Sequence, residues 1–178
     1  CARFTKQDSL GLPASQDPVR GNSRFDCSHL LTGQQEREIT NWMQDVYEFD
    51  LQELMERQQA QLFEAENGIL LVPQRLFRDC CDLLIASLGL NAFKRIPQGY
   101  QISHDLAARF GAQFQAGVLT LDEEQRSLYL THRDLMGFSV PQDQVGQTLV
   151  VKDAGGQVLG RVKALKDRLK NLLPPRLY

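Results

Sequence analysis

Gly146-Gln147-Thr148-Leu149-Val150-Val151-Lys152-Asp153-Ala154-Gly155-Gly156-Gln157-Val158-Leu159-Gly160-Arg161-Val162 is the stretch on which the fold turns. Two runs rich in apolar and β-branched residues flank Asp153-Ala154-Gly155-Gly156. Glycine reaches positive φ at no steric cost, so this pattern predicts a β-hairpin. Beyond it the chain turns basic. Six Lys or Arg stand from Arg161 to Arg176 against one acid, Asp167, and the run meets the double proline Pro174-Pro175. The simplest partner for such an ending is a polyanion, and nucleic acid is the commonest one. A solvated basic tail is the plain alternative, because short charge runs are usually wet faces.

The elements before the hairpin are short. Leu88-Gly89-Leu90 leads into Phe93-Lys94-Arg95-Ile96, which turns at Pro97-Gln98-Gly99 and resumes as Tyr100-Gln101-Ile102. Ser103 is the expected N-cap of a helix running to Phe110. Gly117–Leu121 reads as a strand. Thr120 and Glu123 have capping-box spacing for a helix through Leu128, Tyr129 and Leu130. Short strands broken by short helices fit a small mixed β-barrel over residues 88–178.

A second unit is expected over residues 25–87. Thr32 and Gln35 make a capping box, and Ile39, Trp42, Met43, Val46 and Tyr47 follow at helical spacing. Trp42 and Tyr47 are read as core rather than as a base-stacking platform, because Ile and Val share their face. Asp50 would cap a short second helix. Asn67-Gly68 between Gln61–Glu66 and Ile69–Val72 is a hairpin signal, closed by Pro73. A helix from Gln74 to about Ser87 follows, with Leu76, Phe77, Cys80 and Leu84 inward, Cys81 at the margin of that face and Gly89 as its stop. Residues 7–24 are rich in Gly, Pro, Ser, Asp and Asn and read as a linker. The fold class is α+β: a small α+β unit, then a mixed β-barrel with short helices.

Charge divides along the same line. Residues 1–85 carry 8 basic and 14 acidic side chains, and residues 86–178 carry 12 and 8. Such asymmetry points to two units with the polyanion site on the second. No apolar run approaches the ~18 residues that span a membrane. The first residue is Cys rather than Met, which suggests a processed protein or a piece of a longer one. Cysteines stand at 1, 27, 80 and 81, a spacing that suits neither a disulfide framework nor a zinc finger. Cys27, His29, Cys80 and Cys81 make a poor metal set, since adjacent helical ligands face different ways. Free thiols in a cytoplasmic protein are expected, and no metal.

These residues also resemble a family. Leu159-Gly160 with Lys163, then Leu169-Lys170-Asn171-Leu172-Leu173-Pro174, is similar to the end of the PUA-type RNA-binding domain in bacterial rRNA cytosine-5 methyltransferases of the RsmF/YebU kind. That ending reads "G-x-P-x-G-x-x-K", then "L-K-N-x-x-P" and a basic residue. Val158 replaces the proline, and Pro175 precedes Arg176. His104, Leu106 and Ala107 fall where the family's "G-Y/F-x-x-x-H-x-(apolar)-A" segment has its His and Ala. A "Y-x-x-G" segment matches from Tyr129, with His132 in place of glycine. Ala2, Arg3, Phe4 and Lys6 resemble the end of the family's catalytic domain, so residues 1–24 would be its last strand and a linker.

The resemblance implies the RNA-docking C-terminal portion of an rRNA methyltransferase. Lys94, Arg95, Arg161, Lys163, Lys166, Lys170 and Arg176 would contact phosphates of ribosomal RNA, of the small subunit by family analogy, and aim an upstream catalytic domain at one cytosine. The family's nucleophilic cysteine and its partner lie in Pro-Cys and Thr-Cys contexts, which Cys27, Cys80 and Cys81 do not match. No catalytic residue is therefore assigned, and no cofactor in this stretch; S-adenosylmethionine would belong to the parent's catalytic domain. His132-Arg133-Asp134-Leu135 copies a kinase catalytic loop, but Ser139 stands where its magnesium-binding Asn belongs. His104 has no nameable catalytic partner and reads as a capping or surface residue. The other readings are a stand-alone RNA-binding or ribosome-assembly protein and a bacterial lipoprotein lipidated at Cys1.

Overall fold

The structure is a computed structural model that describes residues 30–66, 68–79 and 89–175. It begins with helix α1 (Gly33–Tyr47). The Thr32 hydroxyl accepts from the Gln35 amide, and the Gln35 side chain accepts from the Thr32 amide at 2.9 Å. Two of the four N–H groups that every helix start leaves unpaired are thus satisfied. Ile39, Met43 and Tyr47, four residues apart, are buried on one face. Asp50 caps helix α2 (Leu51–Gln58) by accepting from the Glu53 amide at 2.8 Å, and Leu51, Leu54 and Met55 face inward.

The Asn-Gly signal is met by a hairpin of β1 (Ala60–Ala65) and β2 (Gly68–Pro73), paired from Ala60↔Pro73 to Ala65↔Gly68. Asn67 lies outside the described residues. Helix α3 is described over Gln74–Asp79, and the remainder of the helix expected to run to Ser87, with Cys80 and Cys81, lies outside them. Strands β3 (Leu90–Ile96) and β4 (Gly99–Ile102) make the second hairpin. Strand β3 also pairs with β2, through Leu71↔Leu90 and Leu70↔Asn91. The first sheet is therefore an antiparallel meander, β1-β2-β3-β4, that runs across position 88. Gly89 permits this crossing. Its φ is +62°, and a Cβ there would stand 2.4 Å from the Leu71 carbonyl oxygen.

Ser103 caps α4 (His104–Phe110) by accepting from the Leu106 amide at 2.9 Å. Strand β5 (Val118–Thr120) leads to α5 (Glu123–Leu130). Here the sequence expectation is corrected. The N-cap is Asp122, not Thr120, and its capping-box partner is Gln125, not Glu123. Thr120 is still in the strand, paired with Lys152, so its backbone is extended where a cap must already turn. After β6 (Leu135–Met136), the decisive hairpin appears as β7 (Thr148–Lys152) and β8 (Val158–Ala164). The basic ending contains a further strand, β9 (Arg168–Asn171). Within it only Leu169 is apolar, too little alternation to announce a strand. These strands form a second sheet, β5-β7-β8-β9-β6, curled into a half-barrel.

Two cores result. The first gathers α1, α2, α4 and the inner residues of the meander, with Ile39, Met43, Leu62, Ile69, Phe93 and Leu106 at its centre. The second lies under the half-barrel, with Leu121, Tyr129, Leu149, Val151, Val162 and Leu169. Strand β7 serves both: Val150 belongs to the first core and its neighbours Leu149 and Val151 to the second. That is why Thr148 to Val151 are buried without a break, a continuous run rather than an alternating one.

Candidate nucleic-acid interface

The seven basic residues expected to meet RNA fall in different places. Lys163 on β8 stands directly opposite Lys170 on β9. Val162 and Ala164 point into the second core, so Lys163 lies on the other face of the sheet, and cross-strand partners share a face. Lys166 is exposed in the turn between the two strands. Among the described residues none of these three lysines is in an ion pair. Like charges directly opposite each other repel, so this pair destabilises the sheet unless an anion neutralises it.

Lys94 and Arg95 lie on β3, in the meander rather than the half-barrel, and the structure does not bring them to the three lysines in one sheet. They line a pocket with Glu64 and Glu66. Arg95 is committed locally: its guanidinium donates to Glu64 at 2.9 Å and to the Tyr100 hydroxyl at 3.2 Å, and packs over the Tyr100 ring at 5.5 Å. The hydrogen bond to Glu64 holds the Arg95 pKa above its ordinary value. Arg176 lies outside the described residues.

Arg161 turns inward. It pairs with Val150 across the hairpin, on the face that packs against α4, and its guanidinium donates to the Ile102 carbonyl. Burial lowers its pKa, and among the described residues its Nε has no partner. Around it stand the residues that carry the family resemblance. The Tyr129 hydroxyl accepts from the Arg161 amide at 2.8 Å and donates to the Arg161 carbonyl at 3.0 Å. Burial pushes the Tyr129 phenol up to about 12. The same hydroxyl fills the space beside Gly160, where a Cβ would stand 2.4 Å from it. Asn171 donates from its side chain to the Tyr129 carbonyl at 2.8 Å. The imidazole of His104 borders Gly160 too, and burial next to Arg161 lowers its pKa. Tyr129, Gly160, Asn171 and His104 thus lock α4, α5, β8 and β9 together. Asp134 of the kinase-like tetrapeptide is structural as well. It accepts from the Asn171 amide at 2.9 Å and stands 3.4 Å from Arg168.

One surface feature was not legible from spacing. A groove of about 360 Å³ opens between α1, the β3–β4 turn and the start of β7. Trp42 and Tyr100 line it, with Ile96 and Gln98 on one lip and Lys163 on the other. Tyr47, read with Trp42 as core, is core: it is 1% exposed and donates to the Thr148 carbonyl at 2.7 Å. Trp42 is only partly buried, with its ring 5.7 Å from that of Tyr100. Among the described residues no cluster of His, Cys, Asp and Glu could hold a metal ion, and no helix is long and apolar enough to cross a membrane.

No model of a protein family matches the chain. The chain is similar to ribosomal RNA small subunit methyltransferase F of Aeromonas salmonicida, 26% identical over 118 residues. It is also similar to the protein of the same name from Aeromonas hydrophila subsp. hydrophila, 28% identical over 119 residues. The matches cover 66% and 67% of this chain but 24% of each relative, so the chain spans about a quarter of the length of the curated relatives it matches.

Proposed function

We propose that the chain is the RNA-docking portion of a small-subunit rRNA methyltransferase, with the methyl transfer itself carried by a catalytic domain upstream. In this reading residues 25–87 form the unit preceding a PUA-like RNA-binding domain at 88–178, and S-adenosylmethionine is the parent's cofactor. The observation that carries the reading is the unpaired facing of Lys163 and Lys170 across β8 and β9, with Lys166 at the turn, on a chain related to methyltransferases whose name specifies ribosomal RNA. Lysines in such an array neutralise phosphates without reading bases, so docking follows RNA shape. Lys94 and Arg95 would supply a second, weaker contact, since Glu64 already engages Arg95. Arg161 would act from within, holding β8 in place, and Arg176 would extend the contact.

The test is RNA binding across a salt series. In Lys163→Glu/Lys170→Glu the slope of log affinity against log salt should flatten by about 1.4 to 1.8, because each lost phosphate contact removes roughly 0.7–0.9. Unchanged affinity and slope would refute the assignment.

A further inference from the structure

We infer that the groove between Trp42 and Lys163 receives an unpaired nucleobase of the docked RNA, stacked against the aromatic pair with its phosphate on Lys163. The inference rests on the RNA-docking reading and adds to it a site for single-stranded RNA. Its basis is the chemistry of the lining. Trp42 and Tyr100 present ring surface 5.7 Å apart at an interplanar angle of 56°, so a flat ring can lie against one while its edge meets the other. The tilt is held in place. Trp42 is braced edge-on by Tyr47 at 5.6 Å and Phe93 at 6.1 Å, and the Tyr100 hydroxyl is fixed by Glu38 at 3.3 Å and Arg95. A stacking platform whose rings are already fixed loses little entropy when a base arrives.

Charge selects the occupant. Among the described residues, Lys163 is the only charged one lining the groove, and Glu38 beside it accepts from the Tyr100 hydroxyl. Every nucleotide brings a base with a π-face for the aromatic side and a backbone phosphate for the cation. Lys163 is also the register partner of Lys170, so the backbone of a strand leaving the groove passes straight onto the lysine face. Gln98, exposed at the tip of the β3–β4 turn, has an amide that both donates and accepts, as a base edge requires. The volume, about 360 Å³, sits at the lower end of the roughly 300–1,000 Å³ of small-ligand clefts, room for one nucleotide rather than a duplex.

Trp42 is the only tryptophan in the chain, so its emission reports on this groove alone. The experiment titrates the chain with an end-labelled unstructured oligoribonucleotide and, separately, with a fully paired RNA duplex. Label anisotropy and tryptophan fluorescence are read together. The expected result is saturable quenching by the unstructured RNA, tracking its anisotropy, and binding of the duplex without quenching. Trp42→Phe should keep the affinity for unstructured RNA. Trp42→Leu should weaken it by about 5- to 150-fold, the loss of one stacked base, and leave duplex binding unchanged. Rising anisotropy with unchanged tryptophan emission would overturn the groove and leave the docking reading standing. Duplex binding with no binding of the unstructured RNA would likewise overturn the groove alone, and failure of both RNAs to raise the anisotropy would overturn the docking reading, and the groove with it.

Discussion

Tyr129→Phe and Gly160→Ala together probe the joint that holds α5 against β8. The phenol of Tyr129 is fully buried, accepts from the Arg161 amide at 2.8 Å and donates to the Arg161 carbonyl at 3.0 Å. Removing the hydroxyl orphans a buried N–H, which costs about 1–3 kcal/mol. Gly160→Ala puts a Cβ 2.4 Å from the Tyr129 oxygen and 3.2 Å from Leu173 Cδ1, at a φ of +153°. Overpacking of that kind costs about 1–3 kcal/mol. Each single variant should therefore lower stability. Combined, they should cost less than their sum by about 1–2 kcal/mol, because the phenylalanine background lacks the atom that the new methyl strikes. The Leu173 contact and the backbone strain persist, so compensation is partial. Urea unfolding of the four proteins, with m unchanged, measures the coupling. Costs that add to within ~0.5 kcal/mol would refute the claim that the hydroxyl is what excludes a side chain at position 160.

Two further outcomes follow from single residues. His132 sits at φ +61° just past the end of α5, the left-handed position that glycine favours. His132→Gly should stabilise the chain by about 0.5–1 kcal/mol, relief of the steric cost less the entropy of glycine, and a lower unfolding midpoint would count against the strain. His104 has a pKa below its ordinary value of 6.5, from burial and then from Arg161, with Asp105 opposing. The unfolded chain therefore binds the proton more readily, so stability should be intact above pH 6.5 and fall as pH drops from there toward the folded-state pKa. His104→Gln should reduce that slope, and an identical pH profile would show that the imidazole stays solvated.

Much of the fold was legible because it is dictated locally. Thr32 with Gln35, Asp50 and Ser103 are side chains that must find an amide within three residues, so they mark helix starts wherever the chain is read. Asn67-Gly68, and Gly155-Gly156 between two apolar runs, are turn chemistry of the same kind. Asp122 displaced Thr120 as a cap because β5 pairs with β7 through Thr120, a contact with a residue thirty-two positions away that no local pattern contains. Strand β9 was hidden for a like reason: its partner β8 and the buried Leu169 make it a strand, not its own alternation. The resemblance at His132 gained a physical reading, since a family position occupied by glycine is one where this backbone turns left-handed.

The candidate interface divides the same way. Composition alone placed the excess positive charge in the second half of the chain, and the order of residues, above all from Leu159 to Pro174, carried the resemblance to rRNA methyltransferases. Whether each cation faces water was a tertiary matter. Period-two alternation puts Arg161 and Lys163 on one face of β8, but α4 covers the first and leaves the second at a groove, so one becomes an interior brace and the other a surface cation. Trp42 likewise has the helical spacing of a core residue, and only the approach of the β3–β4 turn and β7 around it makes a half-open aromatic groove. Local chemistry determines turns, caps and charge; burial depends on which distant element arrives, and that is decided only when the two cores close around β7.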